Sequence, residues 1–104
     1  MPAVELTRWP HDKPPTRSQL DALLRVAKLS PTWWSNGPGD RYAAHSHAYD
    51  KVLFCAEGSI TFRIEPECKD YELSAGDRLG IPRGTAHSAV VGPAGVTCVE
   101  AQAG

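Results

Sequence analysis

The chain has 104 residues, enough for one hydrophobic core and too few for two. Eleven Lys and Arg stand against twelve Asp and Glu, a formal net charge of -1, so there is no basic excess to draw a polyanion and nucleic acid is not an expected partner. No apolar run reaches the roughly eighteen residues of a membrane span, and Cys55, Cys68 and Cys98 are odd in number with no CxxC pair, so a soluble protein with reduced thiols in the cytoplasm is expected.

Met1 to Pro15 is rich in proline and mixed charge without periodicity, which predicts an extended arm or a poorly ordered tail. At Thr16 the pattern changes. Thr16 followed by Gln19 has the form of a capping box, and Leu20, Leu23, Leu24 and Ala27 recur at helical spacing until Pro31, predicting one short amphipathic helix. Beyond Pro31 the apolar segments are short and bounded by Gly, Pro, Asn or Asp. Strands are expected near 32-35, 41-47, 51-56, 59-64, 70-74, 78-81, 86-91 and 96-101, separated by turn chemistry such as "SNGPGD", "SAGD" and "PRGT". Short strands with close connections and no helical crossover predict an all-β antiparallel sandwich or barrel.

Three of the four histidines, His45, His47 and His87, fall in expected strands. Alternation puts His45 and His47 on one face, where two neutral imidazoles can bind one transition-metal ion together. His87 follows "IPRGTA", whose Pro82 and Gly84 set a tight turn, and so can supply a third ligand from a neighbouring strand. Taken alone, an H-x-H pair is a weak signal, and a solvated pair is the plainer alternative.

Two spaced motifs sharpen this. Gly39-x5-His45-x-His47-x3-Lys51-x6-Gly58 resembles the first motif of the cupins, and Gly76-x5-Pro82-x-Gly84-x2-His87 resembles most of the second, in the right order and with a short spacer. The resemblance covers roughly residues 35 to 101. It implies a double-stranded β-helix, or jelly-roll barrel, here with one short N-terminal α-helix, divided as an arm and helix over 1-31 and a cupin barrel over 32-104. It also implies an interior metal held by His, His, Glu and His, with His45, His47 and His87 at the histidine positions. Iron, nickel, zinc and manganese are the candidate ions, and any enzyme activity would be of dioxygenase or isomerase type on a small-molecule ligand. Cupins often dimerise, so a homodimer is expected.

The chain departs from the motifs at two positions. Val91 stands where an asparagine is expected, and Lys51 stands where most cupins have the metal-binding glutamate. An ammonium about 5 Å from a divalent ion is repelled by roughly 7 kcal/mol at an effective dielectric near 20. Three arrangements relieve this. Lys51 turns toward Asp50 or Glu57 and leaves a three-histidine site completed by water; or Lys51 replaces the cation and the pocket takes an anionic molecule without metal; or a one-residue bulge brings Asp50 inward as the missing acid. Lys51 is accordingly the candidate catalytic residue, pairing an anionic group or moving a proton.

Alternation from Lys51 turns Leu53 and Cys55 inward and Val52 and Phe54 to the other face, so Cys55 either lines the pocket or is a small buried hydrophobe. Ile60, Phe62 and Ile64 carry ordinary core patterning. Trp33, Trp34, Tyr42 and Tyr49 either form an aromatic pocket mouth or pack the helix or a second subunit. Arg41, near the rim turn, and Tyr49 join Cys55 as candidate substrate-binding residues. His11 is expected to be exposed and has no assigned role.

Overall fold

The structure is a computed structural model that describes residues 3–104; Met1 and Pro2, the start of the expected arm, lie outside the described residues. In chain order the elements are β1 (Glu5–Thr7), α1 (Arg17–Val26), β2 (Thr32–Asn36), β3 (Arg41–His45), β4 (Lys51–Ile64), β5 (Lys69–Ser74), β6 (Arg78–Ile81) and β7 (His87–Gln102). Among the described residues no helix is long and apolar enough to cross a membrane.

Helix α1 begins as its sequence predicts. The Gln19 N–H donates to Thr16 Oγ1 at 3.1 Å, and the Thr16 N–H donates back to Gln19 Oε1 at 2.7 Å, so each residue satisfies an orphan donor of the other. The helix closes at Val26, before Pro31, because Lys28 turns into the left-handed region at φ 63°. There the Lys28 and Leu29 N–H groups donate to the Arg25 and Leu24 carbonyls, which satisfies acceptors the last turn leaves free.

All the ladders are antiparallel, and β4 and β7 pair along most of their length, from Lys51↔Gln102 to Ile64↔His87. Each was expected as two short strands. Gly58 lies between the β4 halves and Gly95 precedes the second β7 half, yet these glycines bend continuous strands instead of ending them. The β4–β7 register shifts between Cys55 and Glu57 and again between Gly58 and Ile60. Gly58 is held at φ 76°, and a Cβ there would stand 2.0 Å from the Gly95 carbonyl oxygen, so the two backbones cross where no side chain fits.

The bends fold one seven-stranded sheet over its own concave face. Its ladder path runs β1-β6-β4-β7-β2, with β3 added to β7 and β5 added to β4. The expected jelly-roll barrel is corrected here: the sheet is not closed. The end strands β1 and β2 have one neighbour each, β6 and β7, and no ladder joins them among the described residues. Side chains from both halves explain the gap. Leu53, Cys55, Leu79 and Cys98 meet Ile60, Phe62, Leu73 and Ala89 in one core cluster. Layers separated by interdigitated side chains stand about 10 Å apart, twice the roughly 4.8 Å that a ladder spans.

The arm is also more ordered than its composition suggests. Residues Glu5–Thr7 form an edge strand on β6, in register Glu5↔Gly80 through Thr7↔Arg78. Asp77, in the turn before β6, accepts from the Trp9 N–H at 3.0 Å, from the Ser74 N–H at 3.0 Å and from Arg8 Nη1 at 2.8 Å. Leu20 and Leu24 of α1 then cover the convex face against Val52, Phe54, Ala56, Val99 and Ala101.

Candidate metal centre and adjoining cavity

The three expected ligands converge. Strand β3 ends at His45, which pairs with His87 at the start of β7, and the register slips between Tyr42 and His45. His47 lies beyond the strand end, in the loop leading to β4, so strand alternation does not place it. A loop contact holds it: the Gly84 N–H donates to the His47 carbonyl at 2.8 Å, tying this loop to the turn that delivers His87. Gly84 sits at φ 75°, a conformation that favours glycine.

Ring centroids are 4.8 Å apart for His45 and His47, 4.5 Å for His45 and His87, and 5.3 Å for His47 and His87. One ring nitrogen from each lies within 4.8 Å of the other two. With bonds of about 2.0–2.1 Å and tetrahedral angles, ligand atoms on one ion lie roughly 3.4 Å apart, so the rings would have to close by about an ångström to share an ion.

Tautomers are fixed by the backbone. His45 Nδ1 lies 2.8 Å from the Ala43 carbonyl and His87 Nδ1 lies 2.9 Å from the Thr85 carbonyl. A carbonyl only accepts, so Nδ1 carries the proton and donates, leaving Nε2 of each ring with a free lone pair. Nε2 of His87 and Nε2 of His47 are buried and have no hydrogen-bond partner among the described residues. Buried polar atoms ordinarily find partners, and two orphaned imidazole nitrogens in one cluster fit a cation. Burial, together with the Lys51 and His45 charges, lowers the His47 pKa. Burial also lowers that of His87, with the nearby His45, Lys51 and His47 adding to it against the Thr85 hydrogen bond. Both rings therefore favour the neutral form that binds metals.

Beside the cluster lies a cavity of ≈ 200 Å³ walled by Trp34, Tyr42, Phe62 and Ala89, with Thr32 at one side. Trp34 and Tyr42 meet edge to face at a centroid distance of 5.8 Å, and the Tyr42 hydroxyl donates to Asn36 Oδ1. His45, Lys51 and Glu100 supply the polar lining. Lys51 is 8 % exposed, and its Nζ lies 3.2 Å from Glu100 Oε1. The same oxygen accepts from Trp34 Nε1 at 2.6 Å.

A sequence model for the Cupin domain matches residues 33–99. The chain belongs to the cupin family. No functionally curated protein matches it at significant similarity. Among solved structures, this cupin is similar to a cupin-2 domain containing protein from Shewanella frigidimarina, at 19% identity over 71% of this chain and 69% of that one, with a TM-score of 0.61. It is similar to a DUF861 family protein from Thermotoga maritima at 19% identity, over 97% and 100% of the two chains, with a TM-score of 0.65. Likeness to the polyketide cyclase RemF from Streptomyces resistomycificus reaches 24% identity over 71% of this chain and 54% of that one, with a TM-score of 0.64. At these identities the likenesses establish the fold.

At Lys51 the structure is nearest the first arrangement, a lysine paired with an acid beside three histidines, but the acid is neither Asp50 nor Glu57. Asp50 stays at the rim, accepting from the Arg83 N–H at 2.9 Å, and Glu57 pairs with Arg17 at 2.6 Å. Glu100, which the sequence reading passed over, is the acid that meets Lys51. Its position in "TCVEAQ", a charged residue in a run that otherwise packs inward and outward as core, was the available signal.

The other candidates separate. Tyr49 lies against His47, with ring centroids 4.8 Å apart. Arg41 is exposed and does not line the cavity, and Cys55 is fully buried in the core opposite Cys98. The Cys98 thiol is pushed up by its hydrogen bond with Cys55 and by burial, which suits an inert packing role. Of the aromatic group, Trp34 and Tyr42 form cavity wall, whereas Trp33 packs toward α1, its Nε1 donating to Asp21 Oδ1 at 3.2 Å.

Proposed function

We propose that this cupin holds one divalent transition-metal ion on His45, His47 and His87 and uses it on a small oxygenated or anionic molecule seated in the adjoining cavity. The observation that carries this is the pair of buried Nε2 atoms, on His47 and His87, left without partners in the cluster. Iron, nickel, zinc and manganese all suit imidazole ligands, and such an ion, when bound, supplies a Lewis acid that polarises a ligand oxygen.

The chain's own residues supply the rest. The carbonyls of Ala43 and Thr85 hold the His45 and His87 rings in the ligating tautomer. Trp34, Tyr42 and Phe62 keep water from one side of the cavity and favour a flat ligand, while Lys51, on the same wall and paired with Glu100, would move a proton to or from the ligand. A cavity of ≈ 200 Å³ suits a ligand of few atoms. Activity of dioxygenase or isomerase type, and assembly as a homodimer, remain part of the proposal.

The alternative, a metal-free pocket in which Lys51 captures an anion, is weakened by Glu100, because that ammonium already has a carboxylate 3.2 Å away. Untagged protein incubated with each metal, dialysed and assayed for metal per chain tests the proposal. One ion per chain is expected, with loss of binding in His87→Ala. Metal at background for all four ions overturns it, and the metal-free reading would then require Lys51→Ala, but not His45→Ala, to abolish anion binding.

A further inference from the structure

Glu100 belongs neither to the histidine motifs nor to the expected site, yet it is the acid that pairs with the residue that disrupts the motif. Its placement follows from register. Glu100 pairs with Leu53 of β4 and with Thr32 of β2. Lys51 and Trp34 are thus its diagonal neighbours on the cavity face, one from each flanking strand, a separation long side chains bridge. One oxygen takes both partners, Lys51 Nζ at 3.2 Å and Trp34 Nε1 at 2.6 Å.

We propose that Glu100 is the counter-charge that lets a three-histidine cupin site hold a dication: it neutralises Lys51 from across the sheet, in place of the carboxylate that would otherwise ligate the ion. The inference rests on the metal-site proposal above. Lys51 lines the same cavity as His45, one of the three ligands. Without Glu100 a buried ammonium would stand beside the incoming ion with nothing to offset it. With Glu100 the pair presents a dipole of no net charge, and the Trp34 indole fixes the carboxylate so that it stays on the lysine. Glu100 is here a positioning residue that acts on the metal through Lys51.

Isothermal titration with zinc and nickel ions on wild type, Glu100→Gln, Lys51→Met and the double variant tests this, with thermal melts to establish folding. The amide introduced by Glu100→Gln keeps an oxygen for the Trp34 indole, so the wall is preserved while the charge is lost. Glu100→Gln is expected to weaken metal binding by at least about thirtyfold, and adding Lys51→Met to restore it to within about threefold of wild type. Lys51→Met alone leaves the carboxylate unopposed and should tighten binding by about tenfold. If Glu100→Gln does not fold, the two Lys51 variants carry the test. Wild type that binds no metal removes the metal site itself. Wild type that binds while Glu100→Gln binds equally well, or a double variant as weak as Glu100→Gln, overturns the role of Glu100 and leaves the metal site standing.

Discussion

Alternate residues in the first half of β4 point to opposite faces of the sheet, and the two faces are built differently. Val52, Phe54 and Ala56 pack with Leu20 and Leu24 of α1, Val99 and Ala101 into a buried apolar layer. Lys51, Leu53 and Cys55 face the concave side, where the apolar core opens at one end into a cavity lined by an ion pair and a histidine. The convex face gains from every side chain it buries, each worth about 1.5–3 kcal/mol. The concave face bears desolvated charge and two unpaired imidazole nitrogens, which cost stability until something fills them. One strand thus separates holding the fold from holding a ligand, and substitutions on its two sides should fail in different ways.

The largest effect should come from emptying the convex layer. Phe54→Ala is expected to cost about 3–5 kcal/mol in urea unfolding, while folded protein keeps its metal stoichiometry. His87→Ala should do the opposite: a loss of metal affinity of at least about a hundredfold by titration, with a smaller stability cost than Phe54→Ala, since removing the unpaired Nε2 offsets part of what the lost packing and the freed Thr85 carbonyl cost. Equal damage to both properties in either variant would break the separation.

Asp77 tests the arm that borders both faces. Burial raises its pKa, but hydrogen bonds from the Ser74 and Trp9 N–H groups and from Arg8 outweigh that, and the net shift is downward. A carboxylate with a depressed folded pKa contributes stability that is present above its unfolded value, about 3.9, and is lost as pH falls through the lower folded value. Asp77→Asn should therefore cost about 1–3 kcal/mol near pH 7. The gap between the two melting temperatures should narrow below about pH 4. A gap independent of pH would show that the arm is not held by that charge. Smallest is the cap: Thr16→Ala should lower stability by about 1 kcal/mol in the same unfolding assay and leave metal binding unchanged.

What the sequence disclosed follows how local each feature is. The capping box needs only Thr16 and Gln19, and it was legible; so was the inward set Leu53 and Cys55, which alternation alone decides. The short arm strand was not legible, because Glu5–Thr7 is extended by pairing with β6, a partner far along the chain. The glycines of β4 and β7 read as turns, since a left-handed residue that ends a strand and one that bends it look alike until the crossing backbone is seen. Barrel closure failed as an expectation for another reason: the side chains that fill the space between the two halves, and keep the end strands from pairing, are set by packing that no local pattern shows. The histidines were legible through their motif, although His47 reaches the cluster from a loop. Glu100 depends on the register of three strands at once, which no local pattern encodes.

The β4–β7 ladder has a last consequence, for how the molecule comes into being. It joins stretches distant along the chain, so contact order is high and the closure entropy of the intervening segments must be overcome before any reward arrives. His87 forms the inner end of that ladder and His45 pairs with it only through β3. Binding competence should therefore emerge abruptly and late during refolding, together with the slow step, and a metal added at the start should do little to hasten it.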